Sequence, residues 1–357
     1  MNNTILEDYD DYGYSEIAGL RKTMNTITIV IYSLAFVLGV TGNGLVIFIT
    51  GFRMKKTVNT VWFLNLAIAD FTFTLFLPFS IAYITLGFHW PFGQAMCKFN
   101  TTLTVLNLYA SVYLLMVISI DRCISVRYPV WAQNHRSPRL ASFVTVGIWI
   151  VALVLSSPNF HFKVTGPHSY VENATFCFTH YSHNLTQSKM IHHAMITSRF
   201  IFAFIIPFTV IVVCYGMIVL KLQRNRLTQS TKPFKVITAV IVAFFLCWLP
   251  YHIFSFIETK ADETPGLHLV LPIAIPLTSS LAFINSCLNP ILYVFMGHDF
   301  KDRLKRSLFS AFENVFAETA SESTSQTKVK SSIQLDSQDL TNSQSFKSNH
   351  LRTVKSP

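Results

Sequence analysis

Apolar residues run almost unbroken through 27–51, 60–86, 95–120, 141–159, 192–220, 234–257 and 267–296, with short polar segments between them. Stretches of about 20 apolar residues are long enough to cross hydrocarbon as helix, whereas barrel strands would alternate over about 10 residues. A chain in lipid must satisfy its backbone internally, and runs holding Pro and Gly do so as helices supported by their neighbours. The pattern therefore predicts an all-α membrane protein, a seven-transmembrane helix bundle over 26–297. A polar, acidic tail at 1–25 precedes it, without the apolar core of a cleavable leader. A short amphipathic eighth helix at 298–312, "HDFKDRLKRSLFSAF", follows, and then a Ser/Thr-rich tail at 313–357 without apolar periodicity, which reads as disordered.

Composition agrees. The chain is 51% hydrophobic and 13% charged, against about 25% charged in soluble domains. A net charge of +10 would suit a nucleic-acid partner if the bases were clustered, but they alternate. Most of the 28 Lys and Arg fall in every second loop and in the tail, among them Arg53, Lys55, Lys56, Arg136, Arg139, Lys221, Arg224, Lys301 and Arg303. By the positive-inside rule those loops are cytoplasmic, which puts the N-terminus outside the cell in a multi-pass plasma-membrane protein. The same bases attract anionic lipid, and nucleic acid is not an expected partner.

The outer segments carry three glycosylation sequons, at Asn2, Asn173 and Asn184, while a fourth at Asn100 falls inside a span. Cys123, Cys214, Cys247 and Cys287 lie in spans or at the inner boundary, where thiols pack as small hydrophobes. Cys97 and Cys177 are extracellular, where disulfides persist, so a Cys97–Cys177 bridge is expected. The N-terminal "LEDYDDYGYSE" reads as a solvated tail or as an acidic arm, a candidate for tyrosine sulfation, that steers a basic partner. Phosphorylation of the Ser/Thr-rich tail would make it an anionic docking strip.

Polar groups inside the spans carry the most information, because each costs at least about 2.5–3.5 kcal/mol at mid-membrane when charged. They are Asn43, Asp70, Asn107, Ser111, Arg199, Asn285, Ser286 and Asn289. Asn285, Asn289 and Tyr293 share one helix face, as do Asn107 and Ser111. Either these groups are hydrogen-bonding glue between helices, or Asp70, Asn107, Ser111, Asn285, Ser286 and Asn289 surround a small hard cation such as sodium. No other cofactor is expected. Pro207, Pro250 and Pro290 interrupt spans and are hinge candidates, with Trp248 as a bulky lever beside one of them.

In chain order the motifs are "GNGLV" with Asn43, "LAIAD" with Asp70, "DRC" with Asp121 and Arg122, Trp149, Pro207 with Tyr215, "CWLP" with Trp248 and Pro250, and "NPILY" with Asn289, Pro290 and Tyr293. With them the chain resembles the rhodopsin-like (class A) G-protein-coupled receptors over about 25–312. Within that family it is most similar to the chemoattractant branch of chemerin-type and formyl-peptide receptors, through "HWPFGQAMCK", "SIDRCISVRYPVWAQNHRS" and "NSCLNPILYVFMGHDFK". Departures matter too. Val105 and Met195 stand where formyl-peptide receptors place an Asp and an Arg, Phe283 stands where opsins carry their retinal lysine, and Ser230 replaces a common acid of the sixth span.

The resemblance implies a cell-surface receptor for a peptide or protein, coupled to inhibitory-class G proteins, with receptor kinases and arrestin acting on its tail. It implies no enzyme. Arg199 is expected to fork onto a ligand carboxylate, with an internal pair to Glu258 as the alternative. Tyr251, His252, Phe178, Thr278 and Trp248 are its expected neighbours. Asp121 is expected to hold Arg122 while the bundle is closed, and Arg122, Tyr215, Asn289, Pro290 and Tyr293 to rearrange when the sixth span moves. Rival readings are a formyl-peptide or lipid-mediator receptor, a non-signalling scavenger of the same fold, and a transporter or channel. No inverted repeat supports the last. An intramembrane enzyme is disfavoured by the lack of HExxH or GxSxG.

Overall fold

A computed structural model describes residues 3–168, 171–225, 232–260, 264 and 266–296. Asn2, Ser230, the expected eighth helix and the Ser/Thr-rich tail lie outside the described residues.

Seven helical segments are long and apolar enough to cross a membrane: Gly19–Arg53, Val58–Thr85, Gly93–Arg127, Pro138–Phe162, Leu185–Lys221, Ile241–Glu258 and Val270–Pro290. The first is α1 (Asn3–Phe48) with a π-helical end at Ile49–Arg53. The helix thus begins far outside the apolar run, and the acidic segment continues it instead of forming a separate coil. Extending a formed helix needs no new nucleus, which lets polar residues follow the apolar ones.

The second span bends where α2 (Val58–Leu75) passes into α3 (Leu77–Thr85), with Pro78 in the first turn of α3. The sequence reading missed that kink. Conversely, Pro250 and Pro290 lie inside the unbroken helices α9 (Lys232–Glu258) and α10 (Leu267–Met296). Proline is tolerated inside membrane helices, and neither of these divides its span.

The third span, α4 (Gly93–Arg127), is the hub: α2, the fourth-span helix α6 (Pro138–Phe162) and the fifth-span helix α8 (Ile206–Asn225) all pack on it. Between α4 and α6 lies a short helix, α5 (Pro129–His135), whose end presents Arg136. The fifth span is made of α7 (Leu185–Phe200), a π-helical turn at Ile201–Ile205, and α8. A π turn frees backbone carbonyls, and Tyr113 Oη donates to Phe202 O across the interface at 3.1 Å. α10 packs between α9 and α1. Gly39 and Gly42 make close approach possible: a Cβ at Gly39 would strike Thr74, and one at Gly42 would press on Pro290 at 3.0 Å.

Outside the bundle, β1 (Lys163–His168) and β2 (Val171–Thr179) form an antiparallel hairpin in which Thr165 faces Cys177 and Lys163 faces Thr179. Several bonds hold it to its surroundings, among them Thr175 N donating to His89 Nδ1 at 3.0 Å. Cys177 is joined to Cys97 by a disulfide with Cα atoms 5.7 Å apart. Trp90 N donates to Thr175 O at 2.7 Å, and His180 N to Phe162 O at 2.9 Å.

Candidate functional site: a cationic outer cavity above two polar clusters

A cavity of about 670 Å³ opens among the outer ends of the third to seventh spans and the hairpin. Its chemistry is concentrated in Arg199 and Lys163. Arg199 Nη1 donates to Tyr251 Oη at 2.7 Å, and Nη2 to Asn159 Oδ1 at 3.1 Å. Both partners are uncharged oxygens. Glu258, the alternative partner considered from sequence, lines the same cavity but receives neither hydrogen bond. Tyr251 leads inward: its ring packs edge-on against Trp248 at 5.7 Å, and Trp248 lies 6.0 Å from Phe244 at the bundle centre.

Lys163 sits where α6 passes into β1, which aims it inward under the hairpin. Burial, reinforced by Arg199 and opposed by Glu258, pushes its ammonium down to about 8. Tyr181, also on the cavity wall, is raised chiefly by burial. Sequence reasoning missed Lys163 as a site residue, along with Asn159. The available signal was a lone Lys at the outer end of a span, directly after the half-polar stretch "SSPNFHF".

Of the expected neighbours, Tyr251, Trp248 and Phe178 line the cavity. His252 does not. It is 1% exposed and turned into the seam between the fifth and sixth spans, with its ring 5.6 Å from Phe200 and 5.4 Å from Phe204. Consecutive helical residues point about 100° apart, so Tyr251 and His252 cannot both face inward. Thr278 is also buried away from the cavity, with Oγ1 donating to Ala274 O at 2.9 Å, and the adjacent Ser279 takes its place on the wall.

At mid-membrane the buried polar groups converge on Asp70. Asn289 Nδ2 donates to Asp70 Oδ2 at 2.6 Å. Asn107, with Nδ2 toward the carboxylate, lies 3.2 Å from Asp70 Oδ1 and accepts from Ser286 Oγ at 3.1 Å. Ser111 and Ser286 complete the set around Asp70. Asn285 is buried on the same helix but is not among the groups that bond Asp70. Asn43, positioned by the glycine contacts, donates instead to Gly39 O and Ser286 O at 3.0 and 2.9 Å. Here both amides present nitrogen to the carboxylate; with the amide oxygens turned toward it, Asp70 and the neighbouring Asn and Ser oxygens would be a donor set that fits a small hard cation.

At the inner boundary the expected Asp121–Arg122 pair is absent. Arg136 takes Asp121 in a fork, with Nε to Oδ1 at 2.7 Å and Nη2 to Oδ2 at 2.8 Å. Arg122 Nη2 donates to Asn59 Oδ1 at 2.7 Å. The reason is competition: Arg136 occupies both carboxylate oxygens, and adjacency alone does not secure the pair, because the side chains of residues i and i+1 leave the helix about 100° apart. Tyr215 stands near both Arg122 and Thr238. Asn289 and Pro290 are buried in α10, and Tyr293 lies one turn further along the same helix backbone. Of the three sequons expected on outer segments, Asn184 is the one with a described side chain; it caps α7 through Oδ1, which accepts from Thr186 N and Gln187 N.

Seven packed spans with a cavity open to one face, a polar cluster at the midplane and an Arg–Asp–Asn cluster at the other face have the architecture of a seven-helix membrane receptor. The chain belongs to the rhodopsin family of seven-transmembrane receptors: the family model described as "7 transmembrane receptor (rhodopsin family)" matches residues 42–293. It is 48% identical to the chemerin-like receptor 1 of Rattus norvegicus over 308 residues, covering 83% of this chain and 82% of that protein. To the human chemerin-like receptor 1 it is 47% identical over 331 residues, 87% of each chain. The fMet-Leu-Phe receptor of Pongo pygmaeus is 44% identical over 317 residues, 87% of this chain and 91% of that one. The family is one of receptors, not enzymes.

Proposed function

We propose that the protein is a plasma-membrane receptor for a peptide or protein chemoattractant, with its N-terminus outside. The ligand's anionic terminus docks on Arg199, and the receptor couples to inhibitory-class G proteins and arrestin. The observation that carries this is Arg199, a guanidinium in the cavity wall bonded only to neutral oxygens, with Lys163 close enough to be influenced by it. Arg199, Lys163 and Lys189 against the one carboxylate Glu258 leave the lining cationic and favour an anion, and a guanidinium fork matches a carboxylate. That relatives are named for chemerin, fMet-Leu-Phe and N-formyl peptide supports a peptide carboxylate as that anion. Ligand contact with Arg199 and Tyr251 is passed to Trp248 and Phe244, favouring an open inner face as a population shift. Asp121, Arg122, Tyr215, Asn289, Pro290 and Tyr293 form the coupling end.

The test is agonist-driven nucleotide exchange with an N-acetylated chemerin-type C-terminal peptide, as free acid and as C-terminal amide. The acid activates; the amide is weaker by at least tenfold. Lys163 is cationic below about pH 8, so the acid's potency is full at pH 7 and falls between pH 8 and 9. Acetylation removes the peptide's own amine from that window. In Lys163→Ala the potency is lower at pH 7 and nearly flat with pH. Equal potency of acid and amide would remove the carboxylate from the proposal.

For the midplane cluster we propose a sodium ion held by Asp70, Asn107, Ser111, Ser286 and Asn289, favouring the closed bundle. Replacing potassium with sodium in the buffer then lowers agonist affinity several-fold in the wild type. Asp70→Asn, which removes the charge, abolishes that difference in a competition binding assay.

A further inference from the structure

The cytoplasmic end of α4 carries a partner exchange. Two guanidiniums, Arg122 and Arg136, approach one acid and one amide. Both donate to the single oxygen Asn59 Oδ1, but Arg136 alone holds Asp121, occupying both carboxylate oxygens. The side chain of Asp121 is only 11% exposed, so its carboxylate has little access to water as an alternative partner. Arg122 is left with one neutral acceptor, and its Nε has no partner within the described residues.

Local structure explains why Arg136 can do this. "YP" at Tyr128–Pro129 ends α4 and starts α5, and Arg136 N donates to Ala132 O at 2.9 Å as α5 closes. That returns the chain beneath α4 with Arg136 opposite Asp121. Asn59 is fixed by the reciprocal cap that opens α2, in which Thr57 Oγ1 accepts from Thr60 N and Thr57 N donates to Thr60 Oγ1.

We infer that Arg136 is a positioning residue for G-protein coupling: by holding Asp121 in a fork, it keeps that carboxylate from capturing Arg122. Arg122 then rests on a neutral amide, from which it is released at less cost than from an ion pair. Without Arg136, Asp121 is a nearly buried carboxylate with no cation, and Arg122, one residue away on a flexible side chain, becomes its partner. The switch arginine is then held by charge, and coupling falls. This inference rests on the proposed coupling role of Arg122.

The experiment uses the full-length receptor in lipid nanodiscs with a purified inhibitory-class heterotrimer. Guanine-nucleotide exchange, with and without agonist, is measured for the wild type, Arg136→Ala, Arg136→Lys, Asp121→Asn, the Asp121→Asn/Arg136→Ala double variant and Arg122→Gln. Arg136→Ala is expected to lower exchange at least threefold with cavity-ligand affinity in the absence of G protein unchanged. Arg136→Lys, which keeps the charge without the fork, is intermediate. The double variant returns to at least the wild-type rate, because no carboxylate remains to hold Arg122. A simple loss of structure at the α5 turn would not be repaired by removing the acid.

Wild-type exchange in Arg136→Ala, or a loss that persists in the double variant, overturns the inference. If Arg122→Gln itself leaves exchange intact, the coupling role is what has failed, and the partner exchange is decided by thermal unfolding. Arg122→Gln should then lower the unfolding temperature by several degrees more in the Arg136→Ala background than in the wild type. Equal shifts in both backgrounds overturn the exchange as well.

Discussion

Arg199→Ala abolishes the agonist response while the amount of receptor at the cell surface stays normal. Arg199 contacts Tyr251 and Asn159 through uncharged oxygens, so its removal strands no internal carboxylate, and the bundle loses two hydrogen bonds but no ion pair. The bound peptide loses more. Truncating one member of a buried charge pair costs about 2–5 kcal/mol, and about 1.4 kcal/mol is tenfold in affinity. A fall of roughly 100-fold in peptide affinity is expected in competition binding, and signalling follows it. Arg199→Lys keeps the charge but not the planar fork, and should fall between the two. An unchanged dose–response curve with normal surface expression would remove Arg199 from ligand recognition.

The second large effect is at the hairpin. Lys163, Phe178 and Thr179 all line the cavity from β1 and β2, and the Cys97–Cys177 bond ties that hairpin to the outer end of α4. Closing a long loop with a disulfide is worth about 2–4 kcal/mol. The double variant Cys97→Ser/Cys177→Ser is expected to reach the surface in reduced amount. The receptors that do arrive should bind peptide at least tenfold more weakly, because the hairpin side of the cavity is no longer held down. Hydrogen bonds from Trp90 N to Thr175 O, from Thr175 N to His89 Nδ1 and from His180 N to Phe162 O remain to hold it, so binding weakens without vanishing. Full affinity at normal abundance would make the bridge dispensable to the cavity.

The spans were legible because lipid imposes one rule on every residue of a crossing segment, and about twenty apolar positions state it without tertiary information. Asp70, Arg199 and the disulfide were legible for a related reason: a charge within an apolar span and cysteines at a span end and in a polar loop are both unusual enough to stand out. What escaped was everything that depends on which way a side chain faces. His252 and Thr278 belong to the right helices but point out of the cavity. Asp121 and Arg122 are adjacent in sequence, yet the partner of Asp121 is fifteen residues away, across a turn whose course no periodicity reveals. The hairpin escaped for another reason. "KVTGPH" and "VENATFCFT" are short and polar, and their pairing is fixed by the disulfide and by Trp90 more than by any alternation of their own.

The π-helical turn at Ile201–Ile205 bears on how this chain is compared with others. It lies between Arg199 and Pro207, and it holds one residue more per turn than an α-helix does. Counting outward from the proline therefore mislabels every position beyond the turn by about 100° of rotation. Two chains can share the proline and the arginine at the same spacing and still aim the arginine at different walls, if only one of them carries the turn. Chimeric receptors that exchange the outer half of this helix should be joined on the N-terminal side of Ile201 or on the C-terminal side of Ile205. A junction inside the turn risks altering ligand preference through register alone, with every recognised side chain retained.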